Sequence, residues 1–137
     1  MIRLTTRWTA IAAAAILLLW MAGPAKVHAA ELCERPRIID GDTVACANGE
    51  RVRLFGIDAP EMSGPGGKPS KRALTAIVRN RPLTCGKPPK GPQRDRYGRL
   101  LAICRAGRTD IGRELIRQGH ATDYRRYSGG YYAGVGR

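Results

Sequence analysis

The sequence contains no CxxC pair and no internal repeat, and past residue 29 it keeps one histidine, His120. Without paired cysteines and histidines, a structural zinc site has no ligand set to draw on. The lack of a repeat excludes a solenoid. Acids are scarce too: 11 Asp and Glu stand against 24 Lys and Arg, giving a formal charge of +13. A chain this basic is expected to attract polyanions, nucleic acid above all, although charge alone fits adhesion to an anionic envelope equally well. No apolar run reaches the ~20 residues that a membrane span usually needs. The main one, Trp8 to Met21, follows a basic start at Arg3 and Arg7 and precedes the small residues of Val27-His28-Ala29. That arrangement reads as a secretory signal peptide over residues 1–29. What remains is expected to be one secreted or periplasmic domain over residues 30–127, with a Gly/Tyr-rich tail over 128–137 and no membrane span after cleavage.

A domain of this size buries a modest core and often relies on cross-links. Cys33, Cys46, Cys85 and Cys104 all follow the signal segment, and four cysteines in an exported chain imply two disulfides among three possible pairings. Cys33 and Cys46 flank the Asp40-Gly41 turn, while Cys85 and Cys104 each end an apolar stretch. The expected pairs are therefore Cys33 with Cys46 and Cys85 with Cys104, each joining neighbouring strands.

Short β-like runs at 37–39, 43–47 and 51–57 are separated by the turn residues Asp40-Gly41-Asp42 and Ala47-Asn48-Gly49-Glu50, giving a three-strand meander. Residues 62–69 are loop by composition, and Ser70 is expected to cap a helix carrying Ala73, Leu74, Ile77 and Val78 on one face. Strands follow at 81–85 and 99–105, and Thr109 or Asp110 caps a second helix that stops at Gly119. The expected fold is α+β, mainly β: a five-stranded OB-type barrel with two to three helices packed against it.

Charge concentrates at the ends of the apolar runs. Asp42 and Asp58 offer the oxygen donors that a hard cation such as calcium prefers, with the Ala59 carbonyl as a further ligand. Taken singly, each reads first as a turn or cap residue. Arg53 and Arg99 present the planar fork that grips phosphate oxygens and stays charged. Glu61 is placed to act as a general base, and Tyr97 to lie beside a base or sugar. Alone, Glu61 reads as a helix-start or loop acid, and the two arginines as members of a basic surface. Tyr124 and Arg126, interleaved with Arg125 and Tyr127, form a provisional patch for stacking and phosphate contact. A Tyr-rich strand end covering the core is an equal reading of that patch.

Three of these stretches, Asp40-Gly41-Asp42-Thr43, Arg53 to Glu61 and Asp95-Arg96-Tyr97-Gly98-Arg99-Leu100, together resemble the staphylococcal (micrococcal) nuclease family. The later Leu115-Ile116-Arg117-Gln118-Gly119 matches the family's helix end. The resemblance implies a monomeric, calcium-dependent nuclease that cleaves DNA and RNA with little sequence preference and leaves 3′-phosphates. It implies Asp42, Asp58 and the Ala59 carbonyl as metal ligands, Arg53, Glu61 and Arg99 as catalytic residues, and Tyr97 beside the nucleotide. A non-catalytic nucleic-acid-binding OB module is the alternative. Ala59 stands where the staphylococcal enzyme has threonine. The family's final helix also has no counterpart in the glycine-rich segment from Ser128 to Arg137, which is expected to leave apolar surface open.

Overall fold

Alternation along the central strand decides which way its side chains face. In Arg51-Val52-Arg53-Leu54, Val52 and Leu54 are buried, Arg51 is exposed and Arg53 is half-buried, the period of two expected when one face packs on a core. This strand belongs to a computed structural model that describes residues 31–136; the signal peptide read over 1–29 lies outside the described residues.

The strands are β1 (Glu31–Leu32), β2 (Arg37–Ile38), β3 (Thr43–Ala45), β4 (Arg51–Leu54), β5 (Ile57–Asp58), β6 (Leu83–Gly86), β7 (Leu100–Ala106), β8 (Thr109–Asp110) and β9 (Thr122–Asp123). The helices are α1 (Gly67–Val78), α2 (Ile111–Arg117) and α3 (Arg125–Ser128). The main sheet runs β1-β6-β7-β4-β3-β2, with β8 on β7, and β5 pairs separately with β9. Pairing is antiparallel except between β4 and β7, where Val52 faces Leu100 in parallel register. The sheet curls into a half-barrel flanked by the three helices, which is the OB-type α+β architecture expected.

The run 51–57, expected as one strand, divides at Phe55-Gly56 into β4 and β5. Gly56 takes a positive φ of 71° there, a conformation glycine adopts without steric cost. A Cβ at that point would also meet Ser128 at 2.7 Å. The break sends β5 away from the main sheet and brings Asp58 opposite Thr122.

Val44, Val52, Leu54, Leu74, Leu83, Ile111 and Leu115 form the centre of the core, each at most 2 % exposed. Disulfides join Cys33 to Cys46 and Cys85 to Cys104. The second links register partners on β6 and β7. Closing loops of 13 and 19 residues stabilises a domain by roughly 3 kcal/mol each in the chain-entropy account.

Helix α1 starts at Gly67, a turn earlier than expected, with Gly66 as its N-cap and no side-chain cap. Ser70 is not the cap. It is fully buried inside the helix, and its hydroxyl donates to the His120 carbonyl at 2.8 Å. The earlier start is sterically possible because Gly67 has no side chain to strike the Glu61 carbonyl. Ser70→Ala is expected to leave that carbonyl without its partner and to lower the urea midpoint by the equivalent of roughly 1–2 kcal/mol. A midpoint equal to the parent's would show the bond to be idle. Helix α2 is capped by Asp110, which accepts from the Arg113 amide at 3.0 Å, and Gly119 takes the expected left-handed turn at φ 75°.

The tail departs most from expectation. After α3 it continues through successive turns, and Tyr132 is 1 % exposed, its hydroxyl donating to Asp110 Oδ1 at 3.3 Å. Tyr131 packs its edge against Phe55 and Tyr132, with ring centroids 6.5 and 4.8 Å away. The apolar surface expected to stay open is filled by tyrosines carried on turns. Glycine prevents a long helix but not burial.

Candidate functional site

The turn before β3 places Asp42. Asp40 Oδ1 accepts the Asp42 amide at 3.0 Å, closing an Asx turn. Gly41, between them, lies against Ala59 and the Ser70 hydroxyl, where a Cβ would not fit. The Asp42 carboxylate consequently faces inward, and the residue is 8 % exposed. Its Oδ2 accepts the Ala59 amide at 3.1 Å, and its Oδ1 accepts the Thr43 hydroxyl at 3.1 Å. Burial pushes its pKa up to about 6, against the pull of the Arg53 guanidinium and the Ala59 amide, and neighbouring Asp40 adds to the rise.

Arg53 stands opposite Thr43 in the β3–β4 register. Its Nη1 donates to the Leu54 carbonyl at 2.8 Å, and its Nη2 lies 3.0 Å from Asp42 Oδ2 and 3.6 Å from Asp58 Oδ1. One nitrogen thus bridges a buried carboxylate and an exposed one. Arg99 arrives from the start of β7. The Asp95 carboxylate accepts its amide at 3.0 Å and its Nε at 2.7 Å, leaving Nη1 to donate to Thr43 Oγ1 at 3.3 Å. Burial disfavours the charged form of Asp95, but hydrogen bonds from Arg99 and Tyr97 outweigh it and hold the carboxyl below its ordinary range.

Other candidates are less tightly drawn in. The Tyr97 ring, 68 % exposed, packs against the guanidiniums of Arg96 and Arg99, 4.8 and 5.4 Å from its centroid. Glu61 is exposed, and among the described residues its side chain has no hydrogen-bond or ion-pair partner. Tyr124 and Tyr127 meet edge to face at 4.7 Å, and the Tyr124 amide donates to the Gly56 carbonyl at 2.9 Å, next to β5. Arg126 is exposed.

Among the described residues no three His, Cys, Asp or Glu side chains cluster closely enough to hold a metal. Two aspartates do converge, on Arg53. Their donors are all oxygen and one is buried at a raised pKa, so the pair suits a hard divalent cation completed by carbonyl and water ligands.

The family model described as staphylococcal nuclease homologue matches residues 51–133. The chain belongs to the staphylococcal nuclease family. The match covers Arg53, Asp58, Ala59, Glu61, Tyr97 and Arg99 and runs into the tail, but it begins after Asp42. Similar proteins include an uncharacterized endonuclease of Haemophilus influenzae, 37 % identical over 100 residues, covering 70 % of this chain and 54 % of the relative. The succinoglycan biosynthesis protein ExoI of Rhizobium meliloti is 37 % identical over 141 aligned positions, covering 94 % and 69 %. An uncharacterized endonuclease of Escherichia coli O157:H7 is 31 % identical over 96 residues, covering 67 % and 60 %. The chain spans little more than half of the first relative and about two thirds of the second.

Two residues at the centre of this candidate site stood in the sequence only as members of its motifs, with no role assigned. Thr43 links Asp42 to Arg99 through one hydroxyl, and Asp95 orients the guanidinium. A signal for Asp95 was present: an acid four residues ahead of an arginine, across a Tyr-Gly turn. Thr43 stood only as the last residue of the Asp40-Gly41-Asp42-Thr43 stretch, since its contact with Arg99 depends on a residue 56 positions away, beyond β4 in the sheet order.

Proposed function

We propose that the chain is a nuclease, hydrolysing phosphodiester bonds of DNA and RNA with little sequence preference and depending on a divalent cation, calcium first. The observation that carries this reading is the meeting of two arginines at one corner. Arg53 on β4, the strand paired with β3, and Arg99 before β7, the next strand in the sheet, both reach the Asp42-Thr43 turn. The endonuclease names of two relatives support it.

Asp42, Asp58 and the Ala59 carbonyl are the groups that would hold the cation, which when bound supplies positive charge to a phosphate oxygen. Arg53 and Arg99 grip the scissile phosphate and stabilise the charge growing on phosphorus. Asp95 keeps Arg99 aimed by taking its Nε. The Glu61 carboxylate accepts the proton of the attacking water, a role typically worth ~10²–10⁴ in rate. Water adds to phosphorus, the P–O5′ bond breaks, and the departing O5′ takes a proton from solvent, so the products carry a 3′-phosphate and a 5′-hydroxyl. Tyr97, Tyr124 and Arg126 line the path of the strand. Contacts centred on phosphate carry little base information, which accounts for relaxed specificity. Disulfides persist in oxidising compartments, which supports a secreted or periplasmic location.

The test is cleavage of single-stranded DNA and RNA by the oxidised protein, in calcium and in chelator. Calcium-dependent cutting is expected, reduced about 10²-fold or more by Glu61→Gln and by Arg99→Ala while circular dichroism stays unchanged. Folded protein that binds strands in calcium without cutting them would identify the binding module instead.

A further inference from the structure

A second cluster of arginines lies outside this site. Arg35, Arg37 and Arg51 border a groove of about 660 Å³, also lined by the small residues Ala45, Ala47 and Gly49. Arg37, Ala45 and Arg51 are register partners across β2, β3 and β4, and directly opposed residues share a sheet face. The adjacent row on that same face holds Thr43 and Arg53. Arg51 is therefore one pleat repeat, roughly 7 Å, from Arg53.

The three guanidiniums are uncommitted. Among the described residues none has an ion-pair or side-chain hydrogen-bond partner, whereas Arg53, Arg94, Arg99, Arg117 and Arg125 all pair with acids. Glu50, next to Arg51 in sequence, has its charge taken up by Arg94, whose two terminal nitrogens bind its two oxygens at 2.7 and 2.9 Å. Glu34, beside Arg35, does not line the groove.

Arg35 also has a strained backbone, with φ at +43°, which non-glycine residues rarely adopt. The segment is pinned by the Cys33–Cys46 disulfide, by Pro36 and by the Ala47 amide donating to the Glu34 carbonyl at 2.9 Å. Strain held this firmly at a concave basic surface points to a functional placement of the side chain. No aromatic lines the groove, so it suits phosphates rather than bases.

We propose that this groove is an accessory subsite for the phosphates flanking the one held at Arg53 and Arg99, so that the protein engages a length of strand. The occupant rests on the nuclease reading. Phosphates bound in line on one sheet face would hold the substrate extended across β4 and β3 towards β2.

The test is equilibrium binding of oligothymidylates of about 4 and about 16 nucleotides to the oxidised full chain in chelator, over a salt series. Replacing Arg35, Arg37 and Arg51 together by Gln is expected to lower the salt slope for the longer strand by roughly 2, with Arg51→Gln alone lowering it by about 0.7. Affinity for the longer strand should fall about tenfold or more, and for the shorter one by less than about twofold. A control variant with Lys68, Arg72 and Arg108 changed to Gln removes the same charge from exposed positions elsewhere and should leave the slope near the parent's. Equal losses in both triple variants, or an unchanged slope in the groove variant, would overturn the subsite. So would a matching loss of binding to heparin, which would assign the groove to acidic polysaccharide. Because no strand is cut in chelator, a lack of cleavage in calcium counts against the nuclease reading alone.

Discussion

Asp42→Asn is expected to stabilise the metal-free protein while removing its cleavage of nucleic acid. The buried carboxylate has a pKa near 6 in the folded state against an ordinary 3.8. Between those values the folded form holds more protons than the unfolded chain, so stability falls as pH rises through this window and stays lowered above it. Asparagine removes the penalty, and its carbonyl oxygen still accepts the Ala59 amide. A gain of roughly 1–3 kcal/mol at pH 7 follows, vanishing towards pH 3. Cutting in calcium should drop about 10²-fold or more, because the proposed anionic ligand and the partner of Arg53 are lost together. Urea titrations in chelator between pH 3 and pH 8 read the first effect, and initial cleavage rates read the second. A variant less stable than its parent at pH 7 would contradict the account of Asp42 as a carboxylate ionised against the cost of burial.

Tyr132→Ala is expected to come close to unfolding the domain. The side chain is 1 % exposed and packs over Gly112, with its hydroxyl on Asp110. Truncating a buried aromatic costs ~3–5 kcal/mol, against a total of ~5–15 for a domain. Tyr132→Phe keeps the ring and loses only a long hydrogen bond, so a cost of about 1 kcal/mol or less is expected. Urea midpoints of the two variants measure the difference. Equal midpoints would mean that the tail is not part of the core.

These two predictions divide along the line of what could be read in advance. Asp42, Arg53 and Asp58 were legible because strand alternation and turn chemistry are local, and three short motifs lie at fixed register. Asp110 as a cap and Gly119 as a stop were legible for the same reason. Ser70 was misread because a serine ahead of an apolar helical face is a good cap by itself. What overrides it is an acceptor 50 residues away. The tail was misread differently: its poor helix propensity was correct, but burial of Tyr131 and Tyr132 needs only turns, and turns suit glycine. The surroundings of Glu61 were not legible: it sits exposed on the loop between β5 and α1, with no side-chain partner among the described residues.

The order of the disulfides has a consequence for biosynthesis. Cys33 bonds to Cys46 and Cys85 to Cys104, so each cysteine joins the one nearest to it in the chain. A polypeptide threading out of a translocation channel amino end first would expose the first pair before the second had emerged. If the chain is exported as proposed, vectorial oxidation would yield the native linkage directly, with no bond to reshuffle. The Cys33–Cys46 staple ties the end of β1, which lies on β6, to the end of β3, so it holds the two flanks of the curled sheet together. The parallel seam between β4 and β7 carries no disulfide of its own.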